Sequence, residues 1–151
     1  MIKRIVALAV AGLVVSGIAV SGAVGKPARK KTTVTVNITV TAASIGMQGS
    51  QTVLAGSTSD PNLGSGAVVY VLSGGATQTG TFTSWVSKGS VHGTLSITVT
   101  AHADGTNTTS GTVIVTGGTA AYKGAKGNLT ETGSIDKQSI IHGHVTGKIK
   151  Y

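Results

Sequence analysis

Residues 111–134 of this chain, GTVIVTGGTAAYKGAKGNLTETGS, decide the fold that its sequence predicts. Val113 and Val115 alternate with threonines, and this period of two is typical of a half-buried β-strand. Gly117-Gly118 then interrupts the alternation, and we expect a turn with positive φ there because glycine adopts that conformation at little cost. Tyr122 is the one large apolar side chain of the connection. The pattern therefore predicts two strands joined by a structured connection, with Tyr122 folded over the end or rim of a barrel.

Within this stretch, residues 117–127, GGTAAYKGAKG, resemble the GGTGxYxGAxG segment of the allene oxide cyclase and dirigent-like barrel proteins, which include secreted bacterial relatives of unassigned role. The resemblance implies an eight-stranded antiparallel barrel. Because the segment is a structural motif, the resemblance transfers no catalytic residue. Ala120 stands where the family has glycine, and alanine tolerates positive φ poorly, so the turn is expected to depart from the family at this position.

Alternation of apolar and polar residues marks strands elsewhere in the chain. The clearest is 32–41, in which valines and one isoleucine share a face opposite threonines. A two-residue hairpin signal at Lys88-Gly89 joins two longer strands. The predicted strands are 32–41, 51–55, 67–72, 79–87, 90–102, 111–116, 128–135 and 140–149. Short connections make their neighbours antiparallel, so the class is all-β, a small antiparallel β-barrel of about eight strands, with a β-sandwich as the alternative.

Two stretches between these strands are predicted as loops. Residues 42–49 lack a strand pattern, and residues 56–66 form the longest polar loop, with a turn at Asp60-Pro61. The strand 67–72, AVVYVL, is apolar on both faces. Its outer face therefore needs cover, which we expect from residues 117–127 or from the preceding loop.

The first 25 residues have the layout of a signal peptide: a basic start, an apolar run over 5–15 and small residues up to Ala23-Val24-Gly25. We expect cleavage before Lys26, a basic tail over 26–31 and one barrel domain over 32–151. The alternative is an uncleaved membrane anchor, since 5–24 is long enough to span a bilayer. The predicted location is secreted, periplasmic or in the cell envelope of a bacterium. The chain has no cysteine, so core packing and strand ladders must hold it.

The formal net charge of +8 is concentrated in the leader and the basic tail. Beyond residue 31, six lysines and four carboxylates leave a net charge of +2. This balance and the scarcity of aromatic residues exclude a nucleic-acid stripe. The tail is interpreted as a solvated spacer, with contact to phosphates or an anionic envelope surface as the alternative. Membrane contact is expected only through an uncleaved leader. The sequence is compatible with a homo-oligomer.

Glu131 is the carboxylate with a functional interpretation. By alternation it shares a face with Leu129 and Ile135, so its side chain points inward if the register is unbroken. Burial would raise its pKa and make it a candidate catalytic or ligand-binding residue. We nevertheless favour a bulge after Gly127, which would reverse the register and place Glu131 in water beside Lys126 or Lys137.

The remaining candidates are aromatic residues and histidines. Tyr122 and Trp85 are candidate ligand-binding residues. For Trp85 we favour ordinary covered packing, whereas exposure would indicate a carbohydrate or partner contact. His142 and His144 have the His-x-His spacing of a metal site, but alternation places both on the outer face beside lysines. We therefore expect no metal and no cofactor.

Two functions fit these residues. The chain has no cysteine, four carboxylates and four histidines, which is thin material for catalysis. This favours an exported, non-enzymatic barrel that is structural or binds a small apolar ligand in its lumen. The alternative rests on the resemblance, which implies an allene oxide cyclase- or dirigent-like enzyme that steers cyclisation or coupling of a flexible apolar substrate. Glu131 would be its one inward acid.

Overall fold

A computed structural model of the chain describes residues 31–151, which form a closed barrel of eight antiparallel strands in chain order. The strands are β1 Thr33–Gln48, β2 Gln51–Asp60, β3 Gly64–Gly74, β4 Thr77–Val86, β5 Gly89–Ala101, β6 Asn107–Gly118, β7 Lys126–Ile135 and β8 Ile141–Lys150, with a short 3₁₀ helix Ala120–Tyr122 between β6 and β7. The all-β barrel prediction is confirmed. The predicted signal peptide, 1–25, and tail residues 26–30 lie outside the described residues. Within 31–151 no helix is long and apolar enough to cross a membrane.

The core of the barrel follows from alternation along each strand. In β1, β5 and β8 the residues that share parity with Val36, Leu95 and Val145 point inward, and their threonine, serine and histidine neighbours point to solvent. The ladder between β1 and β8 closes the sheet, from Thr33 opposite Lys150 to Ala42 opposite Ile141. The buried apolar residues form one cluster: Val36, Val40, Ala42, Leu54, Leu63, Val68, Leu72, Phe82, Val91, Leu95, Val113, Val115, Tyr122, Ala125, Leu129, Val145 and Ile149.

The two ends of the barrel are built differently. One end, called here the capped end, carries the start of β1, the end of β8, the turns at 61–63 and 87–88 and the connection at 119–125. The opposite end, called the far end, carries the four turns at 49–50, 75–76, 102–106 and 136–140. Because side chains plug only one of these ends, the interior is asymmetric along the barrel axis.

Tyr122 caps its end of the barrel, as the sequence predicts. The side chain is 1% exposed and packs edge-on against Tyr151, with ring centroids 5.0 Å apart and an interplanar angle of 79°. Hydrogen bonds fasten the connection to β5: the Thr119 N–H donates to the Ser90 carbonyl oxygen (2.9 Å), and the Ser90 N–H donates to Thr119 Oγ1 (3.1 Å). The connection is therefore held in a fixed position at the capped end of the barrel.

The positive φ angles of this connection do not fall at Gly117-Gly118, so that prediction is wrong. Both glycines continue β6, and positive φ occurs at Ala120 (φ 50°) and at Gly124 (φ 78°). Gly118 is needed for space, because a Cβ there would lie 2.5 Å from the Ser90 carbonyl oxygen and 2.6 Å from that of Tyr122. Ala120 thus adopts the left-handed conformation, at the position where the segment that it resembles in sequence has glycine.

The long polar loop predicted at 56–66 is also wrong, because β2 continues to Asp60 and β3 begins at Gly64. The Asp60 carboxylate is buried and accepts hydrogen bonds from the backbone N–H groups of Asn37, Asn62 (2.7 Å) and Leu63 (2.7 Å). One side chain thereby satisfies three backbone donors. These hydrogen bonds stabilise a connection of only three residues and hold it against β1.

The predicted loop at 42–49 is instead the distal part of β1. The strand continues to Gln48 through an irregularity between Ser44 and Gly46, and beyond Ala42 it pairs with β2 alone. The hairpin between β4 and β5 turns at 87–88, one residue earlier than predicted. Alternation does not reveal the irregularity in β1, and so the loop predicted at 42–49 was too long. Alternation also does not reveal the hydrogen bonds of Asp60 to distant backbone groups, and so the loop predicted at 56–66 was too long.

The outer face of β3 differs from the expectation of a covering segment. Val69 and Val71 point outward and are half-buried beside their cross-strand neighbours on β2 and β4. The 3₁₀ helix of the 117–127 connection packs against β5 and β6. Side chains of adjacent strands therefore supply the partial cover of these valines.

We expect Ala120→Gly to stabilise the protein by up to about 1 kcal/mol. The left-handed conformation costs alanine about 1 kcal/mol or more, and glycine removes this cost while adding entropy to the unfolded chain. Ala121→Gly is the matched control: Ala121 does not have positive φ, so the same exchange should destabilise by about 1 kcal/mol. Urea unfolding of both variants measures the difference. Equal destabilisation by both would contradict the left-handed assignment.

Candidate functional site

A cavity of about 50 Å³ lies in the lumen toward the far end. Its wall is largely apolar, with Tyr70, Gln78, Thr109 and Glu131 as the residues that bring polar groups. The remaining lining residues are Val40, Leu54, Leu72, Leu95, Ile97, Val99, Val113, Ile135, Ile141, Gly143 and Val145. A second cavity of about 30 Å³ lies toward the capped end. Tyr70 lines both cavities, so its ring stands where they meet.

Glu131 points into the first cavity. It lies on β7 opposite Gly111 of β6 and Val145 of β8, and its side chain is 5% exposed. The register is continuous from Lys126 to Ile135, so the bulge that we favoured, which would turn Glu131 to solvent, is wrong. Oε1 accepts a hydrogen bond from the Thr109 hydroxyl at 2.9 Å. Oε2 is buried and has no hydrogen-bond partner among the described residues.

Two glycines make room for this carboxyl group. Gly133 of β7 and Gly143 of β8 are directly opposite each other in the ladder beside Glu131. A Cβ at Gly133 would lie 3.0 Å from Glu131 Oε1, and one at Gly143 would lie 3.6 Å from it. Larger residues at these positions would occupy the volume that the carboxyl group and the cavity now share.

The charge state of Glu131 follows from this environment. Burial raises the pKa of Glu131, and the hydrogen bond from Thr109 opposes the shift without cancelling it. Burial also raises the pKa of Tyr70, and the nearby Glu131 carboxylate adds to the rise. Burial in the lumen therefore disfavours the charged forms of the carboxyl group and of the phenol. Both groups can donate a hydrogen bond into an apolar space.

The cavity reaches solvent at the far end. Gln78, Ile97, Val99 and Ile141 line it and are half-buried, in contrast to Tyr122, which is fully buried at the capped end. We call this opening the mouth of the lumen. The mouth is lined by Gln78 and by apolar side chains, and Glu131 lines the same cavity.

The two aromatic candidates lie away from the lumen cavities. Tyr122 lines neither cavity and serves as the cap. Trp85 is 50% exposed on the outer surface, whereas Phe82, of opposite parity, is 8% exposed and lines the second cavity. The covered packing that we favoured for Trp85 is therefore wrong. The structure does not bring either candidate together with Glu131.

The histidine pair lies on the outer face of β8, as alternation predicts. His142 Nε2 is 3.2 Å from Asp136 Oδ2, while Asp136 Oδ1 accepts the backbone N–H groups of Gln138 and Ile140. These bonds, chiefly the one from Ile140, lower the pKa of Asp136. Between residues 31 and 151 no group of three or more His, Cys, Asp or Glu side chains could hold a metal ion. The arrangement around Asp136 closes a turn.

Sequence reasoning missed two residues of the site, Tyr70 and Thr109. Tyr70 has the parity of Val68 and Leu72, and this signal was present in the apolar run at 67–72. Thr109 lies upstream of the predicted start of its strand at 111, whereas β6 begins at Asn107. Polar residues such as Thr109 carry no apolar alternation, so its inward position becomes visible only once the strand is extended.

Together these features define an eight-stranded antiparallel β-barrel with a largely apolar lumen, whose cavity is lined by one carboxyl group, that of Glu131. No protein-family model and no curated protein matches the chain. The resemblance of residues 117–127 to the allene oxide cyclase and dirigent-like proteins therefore stays a prediction.

We expect Glu131→Gln to remove a specific pH dependence of stability. Because the folded-state pKa of Glu131 is raised above 4.5, the folded protein keeps a proton that the unfolded chain releases, and stability falls as pH rises from 4.5 to the folded pKa. Glutamine does not titrate. The free energy of unfolding of the variant relative to the parent should therefore rise over this window and then level off.

Chemical unfolding at several pH values measures this difference, with Asp104→Asn as the control. A hydrogen bond from the Thr106 hydroxyl lowers the pKa of the exposed Asp104, so the stability that this carboxylate contributes is lost as pH falls through its folded pKa. The two substitutions should thus have opposite pH profiles. A flat profile for Glu131→Gln would contradict the buried, protonated carboxyl group.

Proposed function

We propose that this protein is an exported, non-enzymatic barrel that binds a small apolar molecule in its lumen. The observation that carries the proposal is Glu131 Oε2, a buried oxygen without a hydrogen-bond partner among the described residues, at the wall of an apolar cavity. A buried polar atom that lacks a partner costs about 1 to 3 kcal/mol. A ligand that supplies the missing hydrogen-bond partner of Oε2 would recover part of this cost.

The chemistry of the wall defines the class of ligand. Apolar side chains surround most of the cavity, so the body of the ligand is apolar. Burial disfavours the charged form of Glu131, and its protonated carboxyl group donates a hydrogen bond, so we infer that the matching group on the ligand is a single hydrogen-bond acceptor, such as a hydroxyl, carbonyl or ether oxygen. A charged ligand does not fit, because no opposite charge in the lumen would offset its desolvation.

The volume limits the shape of the ligand. A cavity of about 50 Å³ is well below the roughly 150 Å³ of a cavity that binds benzene. The lumen therefore admits the narrow end of a chain-like molecule. A bulkier group would require side chains between the two cavities to move, and Val40, Tyr70, Val113 and Val145 are the residues that line both.

The test uses hexanol, a chain with one oxygen, and ligand-observed NMR. A methyl group added by Gly143→Ala would meet Val40 at 3.5 Å and Glu131 Oε1 at 3.6 Å, both ordinary contact distances. The variant should therefore fold, yet its smaller cavity should weaken hexanol binding by roughly ten-fold. The matched control is Gly75→Ala in a far-end turn, where the methyl group would have nothing within 4 Å.

Unchanged hexanol affinity in Gly75→Ala and reduced affinity in Gly143→Ala would support the lumen as the binding site. Equal affinity in both variants would place the binding elsewhere, and no binding to the parent protein would leave a structural barrel. Trp85→Ala checks the outer surface, because Trp85 is the exposed aromatic that could bind apolar probes outside the lumen.

A second candidate function is an enzyme of the cyclase or dirigent type. It is favoured by the position of Glu131, a carboxyl group inside the lumen whose pKa is raised by burial, since general acids are often carboxyl groups with raised pKa values. In this case Glu131→Gln would abolish conversion of a flexible apolar substrate and leave hexanol binding in place. Chromatography of the incubated substrate distinguishes this function from binding alone.

A further inference from the structure

The lysines of the folded domain gather at the capped end. This group, called here the lysine rim, contains Lys31, Lys88, Lys123, Lys126, Lys148 and Lys150. The exposed Asp104 and the half-buried Asp136 lie in turns at the far end, and the Asp60 side chain at the capped end is buried and bonded to backbone N–H groups. The small net charge of the domain therefore hides a strong separation of charge between its two ends.

Two lysines of the rim oppose each other directly. Lys126 of β7 pairs with Lys150 of β8, and both side chains are exposed. With Lys31, Lys123 and Tyr151 they line a groove of about 340 Å³. Like charges directly opposite in a ladder destabilise a sheet. Among the described residues the one ion pair joins His142 to Asp136. No carboxylate there therefore forms an ion pair with Lys126 or Lys150.

We propose that the lysine rim docks on a membrane surface that carries anionic phospholipids. Headgroup phosphates would offset the repulsion between Lys126 and Lys150, which the free protein leaves uncompensated. The rim surrounds one end of a cylinder, from the 87–88 turn on one side to β8 on the other, so a flat surface can contact several of its lysines together. A charged stripe along the side of the barrel would suit a linear polymer better.

The path of the chain supports the same partner. Residue 31 lies in the groove of the rim, so everything upstream joins the barrel at this end. The upstream sequence adds Lys26, Arg29 and Lys30, and residues 1–30 contain no Asp or Glu. Clusters of basic residues are typical of contact with anionic lipid headgroups.

Docking through the rim gives the barrel an orientation. The mouth of the lumen is at the far end, so it would face away from the membrane and stay accessible from the aqueous phase. From the sequence we expected membrane contact only through an uncleaved leader. The lysine rim lies on the folded domain, so docking through it needs no leader. This inference does not depend on what the lumen binds.

The test is co-sedimentation of the protein, as recovered from its host, with lipid vesicles at physiological salt; intact mass defines its N-terminus. We expect binding to vesicles that contain phosphatidylglycerol and little binding to pure phosphatidylcholine. The double substitution Lys126→Gln and Lys150→Gln should weaken binding by roughly 25-fold, about five-fold for each lysine. It should not lower thermal stability, since it removes the like-charge pair.

Lys137→Gln is the control, because Lys137 is an exposed lysine in a turn at the far end. Its vesicle binding should equal that of the parent protein. Equal losses in the control and the double variant, or no binding to the phosphatidylglycerol vesicles, would overturn the proposal. Strong binding to pure phosphatidylcholine that persists in the double variant would attribute the contact to an inserted leader and overturn it too. So would binding to soluble polyphosphate as tight as binding to vesicles, since it would identify a general polyanion site.

Discussion

The ladder between the first and the last strand is the interaction on which the rest of the structure depends. It runs from Thr33 opposite Lys150 to Ala42 opposite Ile141, and it converts an eight-stranded sheet into a closed barrel. Without it, β1 and β8 would be free edges of a threonine-rich sheet, open to pairing with other chains. The chain has no cysteine, so no disulfide can replace this closure. Closure also creates the lumen, and therefore every interior feature depends on the same ladder.

The closed barrel then acquires its direction from what occupies each end. The connection at 119–125 places Tyr122 over one end, where the chain also enters and lysines accumulate. The other end carries hairpin turns and leaves the lumen cavity in contact with solvent. Glu131 lies behind this mouth, in space that a pair of opposed glycines leaves free. The two proposals of ligand uptake and membrane docking thus concern opposite ends of one axis.

The sequence predicted those parts of this arrangement that depend on local alternation. The inward faces of β1, β5 and β8 follow from a period of two, since a strand sends alternate side chains to opposite faces. The same period gives the inward direction of Glu131 only because the bulge that we favoured after Gly127 is absent. The closed barrel and the Tyr122 cap were also expected. Features that depend on contacts between distant segments were not. Asp60 shortens its loop by bonding to β1, and the opposition of Lys126 and Lys150 requires the register of two strands.

The protonation state of Glu131 connects the fold with the proposed function, and NMR measures it directly. The experiment is a pH titration of the side-chain carboxyl ¹³C resonance of Glu131, assigned by comparison with Glu131→Gln. Burial in the apolar lumen predicts a pKa above the ordinary value of 4.5, because the wall disfavours the charged form. A pKa at or below 4.5 would mean that the carboxylate is solvated or paired, and it would contradict the account of a dry lumen with one neutral acid.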